Sequence, residues 1–138
     1  MIQATAKFSS EPPSSLNTPV LFLIFNRPET TEKVFSAIRK AEPPRLYVAA
    51  DGPRPDYPND AESCEIARAI ATNVDWNCEV KTLFREKNLG CGLAVTSAID
   101  WFFEQEAEGI ILEDDTKPSE QFFEFIDFGL RNIAITKI

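Results

Sequence analysis

Apolar positions along this chain follow two alternating rhythms. Val20-Leu21-Phe22-Leu23-Ile24-Phe25 is an unbroken apolar run, the pattern of a parallel strand covered on both faces, and Asn26-Arg27-Pro28 ends it. Val34, Phe35, Ile38 and Ala41 then recur at helical spacing, with Pro28 suited to a first turn that needs no N–H. Pro43-Pro44 closes that helix, and Leu46 to Ala50 reads as a second strand ending on Asp51-Gly52. A polar loop containing Pro53, Pro55 and Pro58 leads into a helix with Ile66, Ala67, Ile70, Ala71 and Val74 on one face. A third strand is expected from Glu79 to Phe84. After Asn88-Leu89-Gly90 comes a helix carrying Val95, Ile99, Phe102 and Phe103, then a fourth strand from Gly109 to Leu112. Strand and helix alternate four times, which predicts an α/β fold: a Rossmann-like parallel sheet of about four strands with helices on both faces. Residues 1–17, rich in Ser and Pro, read as a disordered lead, with the folded domain over 18–138.

Composition narrows the function classes. The length of 138 residues is one domain's worth, and 43% hydrophobic residues with 11 Phe suit a folded core. A formal charge of −8, with Lys and Arg scattered, disfavours nucleic acid or an anionic membrane as partner, yet leaves room for a phosphate screened by a metal. With no His and three Cys lacking a CxxC pair, neither a structural zinc site nor a disulfide framework is expected. The thiols are expected to be buried. No stretch reaches membrane-spanning length and the amino terminus lacks a signal-type apolar segment, so membrane insertion is not expected and a cytoplasmic location is.

The chemistry concentrates at strand ends. Gly109-Ile110-Ile111-Leu112 runs straight into Glu113-Asp114-Asp115, three acids that repel one another unless a cation lies among them. Ligands of α/β sheets bind at the carboxyl ends of strands, and a hard divalent cation takes carboxylate and phosphate oxygens together. The alternative is helix capping, since Asp caps well and Pro118 suits a first turn. Asn26-Arg27, Asp51-Gly52 and the Arg85–Gly92 loop are expected on the same edge. Asp51-Gly52 is either a plain turn or an acceptor for a nucleobase N–H, with Gly52 leaving room for the ring. The glycines before the third helix suit an anion or a close ligand, without the spacing of a dinucleotide fingerprint or a P-loop; residues such as Arg85 and Lys87 are more often solvated charges than phosphate ligands. The spacing of Phe102, Phe103, Phe122, Phe123, Phe125 and Phe128 says core.

Taken together, TPVLFLIFNRPETTEKVF, LYVAADGPRP, REKNLGCGLAVTSAIDWFF and EGIILEDDTKPS resemble the amino-terminal, donor-binding half of GT-A glycosyltransferases. The likeness is to bacterial HlpA-like proteins and to the N-acetylglucosaminyltransferase I group, with its Glu-Asp-Asp form of the DxD motif. It covers roughly Thr18 to Phe125. The resemblance implies a UDP-sugar donor and an unknown glycan or other acceptor. Phe25, Asn26, Arg27 and Asp51 would surround the base, with Arg85, Asn88 and Gly90 beside the nucleotide. Glu113 and Asp114 would lie near the ribose and donor sugar, and Asp115 would hold Mn²⁺ or Mg²⁺. The family continues past the acidic motif into an acceptor half carrying the catalytic base of inverting members. Arg131 to Ile138 does not resemble that continuation, so the donor half is expected without the acceptor half and the catalytic residue is unassigned. A non-catalytic nucleotide-binding remnant, or a subunit needing a partner to supply acceptor contacts, is the second expectation. A receiver-like phosphoacceptor domain would want acids at the first strand's end, where Asn26-Arg27 stands.

Overall fold

The computed structural model describes residues 16–116 together with Ser119, Phe122 and Phe123. Within them run β1 (Val20–Ile24), α1 (Pro28–Ala41), β2 (Arg45–Ala50), α2 (Asp60–Ala71), β3 (Glu79–Phe84), α3 (Cys91–Phe103) and β4 (Ile110–Glu113). All pairings are parallel and the sheet order is β3-β2-β1-β4. The expected α/β, Rossmann-like architecture is present; strand ends move by at most one residue from the sequence reading, and α2 ends at Ala71, short of Val74, which packs against the core from beyond the helix.

Burial explains why β1 is apolar at every position. It lies between β2 and β4, and all five of its residues are buried. Side chains alternate across a strand, so Val20, Phe22 and Ile24 pack with Val34, Phe35 and Ile38 of α1 and Ala67 and Ala71 of α2. Leu21 and Leu23 point the other way, to Ala98 and Phe102 of α3, beside Tyr47 and Ala49 of β2. Among the elements of the described residues, two helices therefore cover one face and one helix the other. Phe102 is fully buried and meets Tyr47 edge-on, ring centroids 4.8 Å apart. Phe103 and Phe122 are half-buried and Phe123 buried, so the core reading holds for these four; Phe125 and Phe128 lie outside the described residues. The lead stops short of its expected boundary, because Leu16 is buried and its N–H donates to the Ala41 carbonyl at 2.8 Å. Residues 1–15 lie outside the described residues.

At the amino-terminal edge of the sheet, Arg45 donates to both oxygens of Glu106, at 2.5 and 2.8 Å, and the Tyr47 hydroxyl donates to the same carboxylate at 2.6 Å. This ties the segment after α3 to β2. Among the described residues no helix is long and apolar enough to cross a membrane.

Candidate functional site

Topology sets where a ligand fits. The chain steps from β1 to β2 to β3 in one direction, then crosses back through α3 to place β4 on the far side of β1. In open α/β sheets such a reversal leaves a crevice beyond the strands' carboxyl ends. The last paired row is Ile24↔Ala50↔Phe84, so Phe25, Asp51 and Arg85 leave the sheet side by side. Leu23 pairs with Glu113, which brings Asp114 to the same edge.

A cavity of about 350 Å³ opens there, between the sheet and the first turns of α3. Ala49, Ala94 and Ala98 line it, and their single methyl groups leave the wedge between sheet and helix unfilled. Of the sequence-predicted residues, Phe25, Arg27, Asp51, Arg85, Asn88, Glu113 and Asp114 line it; Asn26, Gly90 and Asp115 do not. Asn26 instead donates from Nδ2 to Asp60 Oδ1 at 2.9 Å. Asp115 is exposed.

Asp51 is buried, and its carboxylate is the clamp of the glycine loop. Oδ1 accepts the N–H groups of Gly52 and Leu89, both at 2.8 Å. Oδ2 accepts the Gly90 N–H and the Asn88 Nδ2, both at 3.1 Å. A carboxylate offers about four acceptor positions, so the chain itself uses them all, and a nucleobase N–H would have to displace one. Gly52 differs from its expected role for the same reason. A Cβ there would meet the backbone carbons of Lys87 at 2.5 Å and Glu86 at 2.7 Å, so the space that glycine leaves is occupied by the loop's backbone and not by a ring. Gly90 caps α3 with φ of +87°, a conformation that residues with a Cβ rarely adopt. From behind, Arg68 Nη2 donates to the carbonyls of Asp51 at 3.1 Å and Arg85 at 2.7 Å, joining the ends of β2 and β3.

Asp114 is the group without a satisfactory partner. Its side chain is 7% exposed, and Arg27 Nη2 stands 3.9 Å from Oδ1. Oδ2 is buried with no hydrogen-bond partner. Burial pushes the carboxyl pKa up; Arg27 and the Phe25 amide oppose this, and Asp115 and Glu113 add to it. An orphaned buried acceptor costs about 1–3 kcal/mol, more when charged. The capping alternative falls largely outside the described residues, Pro118 included; within them Ser119 Oγ accepts the Phe122 N–H at 3.2 Å, and the turn after β4 is closed by Thr116, whose N–H and hydroxyl both donate to the Glu113 carbonyl, at 3.2 and 2.9 Å.

Three further residues belong to the site although the sequence reading passed over them. Arg54 lines the cavity, and Asp60, buried at the start of α2, holds it. The third is Cys91, the first residue of α3, which is exposed and lines the cavity. Against the expectation of buried thiols, only Cys64 is buried and Cys78 is half-buried; a thiol one residue after the Gly90 cap sits at the helix mouth, outside the core. Arg54 and Asp60 carried no local signal beyond their place in a proline-rich loop.

The chain matches no family model, no curated protein and no solved structure. The chemistry available to the cavity therefore follows from its own groups. Arg27, Arg54 and Arg85 supply donors from the ends of β1, β2 and β3, and Glu113 and Asp114 supply acceptors at the end of β4. Among the described residues no group of three or more His, Cys, Asp or Glu is gathered as a metal cage. A cation shared with phosphate oxygens needs only one or two carboxylates, and the orphaned Asp114 oxygen beside Glu113 fits that requirement.

Proposed function

We propose that the cavity binds the nucleoside diphosphate of a sugar donor, as the donor site of a metal-dependent glycosyltransferase, with UDP-sugar as substrate class. The observation that carries this reading is the buried Asp114 oxygen without a partner, on a residue that lines a cavity whose other walls present arginines. Asp114 and Glu113 would hold the divalent cation, Mn²⁺ or Mg²⁺. When bound, it would offset diphosphate charge and stabilise the leaving nucleotide as a Lewis acid. Phe25 offers an apolar surface to the base. Asp51 acts by fixing residues 88–90, so that Asn88 stands at the cavity wall, and Arg85 is steadied by Ser97, to which its Nη2 donates at 3.3 Å.

The test is calorimetry of UDP binding with and without Mn²⁺. Wild type is expected to bind more tightly with the metal, Asp114→Asn to lose that increment, and Asp115→Asn to keep most of it. Equal affinity with and without Mn²⁺ in wild type and Asp114→Asn alike would refute the assignment.

A binding-only domain is the second reading. It is favoured by the engagement of Asp51, whose carboxylate is fully hydrogen-bonded within the chain and takes an acceptor's proton only by giving up one of those bonds. Multiple-turnover transfer from labelled UDP-sugar to any acceptor would exclude it.

A further inference from the structure

Arg54 is held more firmly than a surface arginine needs to be. Its Nε donates to Asp60 Oδ2 at 2.6 Å and its Nη2 to Asp60 Oδ1 at 2.9 Å, a fork that fixes the guanidinium plane. The Arg54 backbone N–H donates to the same carboxylate at 3.1 Å, and Asn26 Nδ2 braces it from β1's end at 2.9 Å. The Tyr57 ring lies against the guanidinium, 3.5 Å from its carbon to the ring centroid, with Phe25 at 5.6 Å. Asp60 is nine-tenths buried, so the brace is part of the fold.

Arginine carries five N–H donors, and Asp60 uses two of them. Nη1 makes no hydrogen bond among the described residues, and Arg54 lines the cavity. Asp60 balances the charge of the pair, so what Arg54 offers is oriented donors more than raw positive charge. Such donors suit a phosphate oxygen, because a guanidinium already locked in place loses little freedom on binding.

We infer that Arg54 is a phosphate-contacting residue of this cavity, and that Asp60 and Asn26 are positioning residues that aim it. This rests on the nucleotide reading above and adds the residue that distinguishes a diphosphate from a monophosphate.

The experiment measures UDP and UMP affinities, by competition against a labelled UDP, for wild type, Arg54→Gln, Arg54→Lys and Asp60→Asn. Thermal melts run alongside to establish folding. The UDP-to-UMP preference is expected to fall about tenfold in Arg54→Gln, the scale of one charge-assisted hydrogen bond. It should fall partly in Arg54→Lys, which keeps a cation beside Asp60 without the fork and serves as the folded control. Asp60→Asn should fall between them. A merely structural loop lowers both affinities together and leaves the ratio unchanged, and that result overturns the inference. So does an Arg54→Gln variant with wild-type affinities. If wild type binds neither nucleotide, the nucleotide reading itself fails, an outcome distinct from both.

Discussion

Asn88 and Asp51 meet across the ends of β3 and β2: the Asn88 Nδ2 donates to Asp51 Oδ2 at 3.1 Å and to the Gly52 carbonyl at 2.8 Å. One amide thus closes a ring of contacts in which Asp51 also takes the N–H groups of Gly52, Leu89 and Gly90. The loop before α3 is thereby set by a side chain 37 to 39 positions upstream. The wall it forms is the wall a ligand would touch.

Asp51→Asn tests that relationship. The amide turns an acceptor into a donor opposed to N–H groups that also donate, leaving at least one buried N–H unsatisfied. Stability is expected to fall by about 2–4 kcal/mol, since bonds to a charged acceptor contribute more than neutral ones. Urea denaturation measures it. An unchanged midpoint would mean that the loop does not depend on the clamp.

Gly52→Ala addresses the same loop through space alone. Its Cβ would stand 2.5 Å from a backbone carbon of Lys87, and backbone yields less readily than a side chain. A loss of about 1–3 kcal/mol is expected, as for other overpacked sites, with a melting temperature lower by several degrees. A variant as stable as wild type would place the loop elsewhere in solution.

How much of this was readable from the chain alone depended on range. The β1 run declares itself, because a strand buried on both faces must be apolar throughout, and the four strand–helix alternations imply parallel pairing through helical crossovers. The convergence of Phe25, Asp51, Arg85 and Asp114 on one edge follows from that topology. What those residues hold does not. Asp51-Gly52 looks locally like any turn, and its partners Leu89 and Gly90 lie across a strand crossover. Asn26 serves Asp60 over 34 positions, a pairing no spacing rule anticipates. Among the three adjacent acids, the selection of Asp114 for burial depends on where β4 ends against β1. Tyr47 looked like one more apolar strand residue, and its tether to Glu106 depends on where the chain turns after α3.

That tether predicts an alkaline transition. Burial, reinforced by the Glu106 carboxylate, pushes the Tyr47 pKa up to about 12, against about 10 for an unfolded tyrosine. Between these values the unfolded chain has lost a proton that the folded chain keeps, so stability falls as pH rises from about 10 toward 12. Tyr47→Phe should remove this part of the pH dependence while lowering stability at neutral pH by about 1–3 kcal/mol through the lost bond to a charged acceptor. Denaturation followed at several alkaline pH values, with tyrosinate absorbance as the monitor, checks both. A pH dependence identical in the two proteins would contradict the assignment.

Asp114→Asn should separate stability from binding. The carboxylate is buried, one oxygen lacks a partner, and Glu113 and Asp115 repel it. Arg27 offers partial relief from 3.9 Å with its own side chain 57% exposed, so solvent weakens that attraction. The folded pKa is therefore raised above the unfolded value, and this group's contribution to stability diminishes as pH rises through the folded pKa. When ionised, the carboxylate is a net burden on the ligand-free chain. Replacing it with the neutral amide is expected to raise the melting temperature by a few degrees, with less gain at acid pH, where wild type is already protonated. The same change removes the acceptor proposed for the cation, so Mn²⁺ with UDP should stabilise wild type and leave Asp114→Asn nearly unmoved. Melting curves of both proteins, with and without the pair of ligands and at two pH values, decide the matter. A variant less stable than wild type at neutral pH would show that Asp114 is a structural carboxylate satisfied by Arg27, and the case for a cation beside it would lose its foundation.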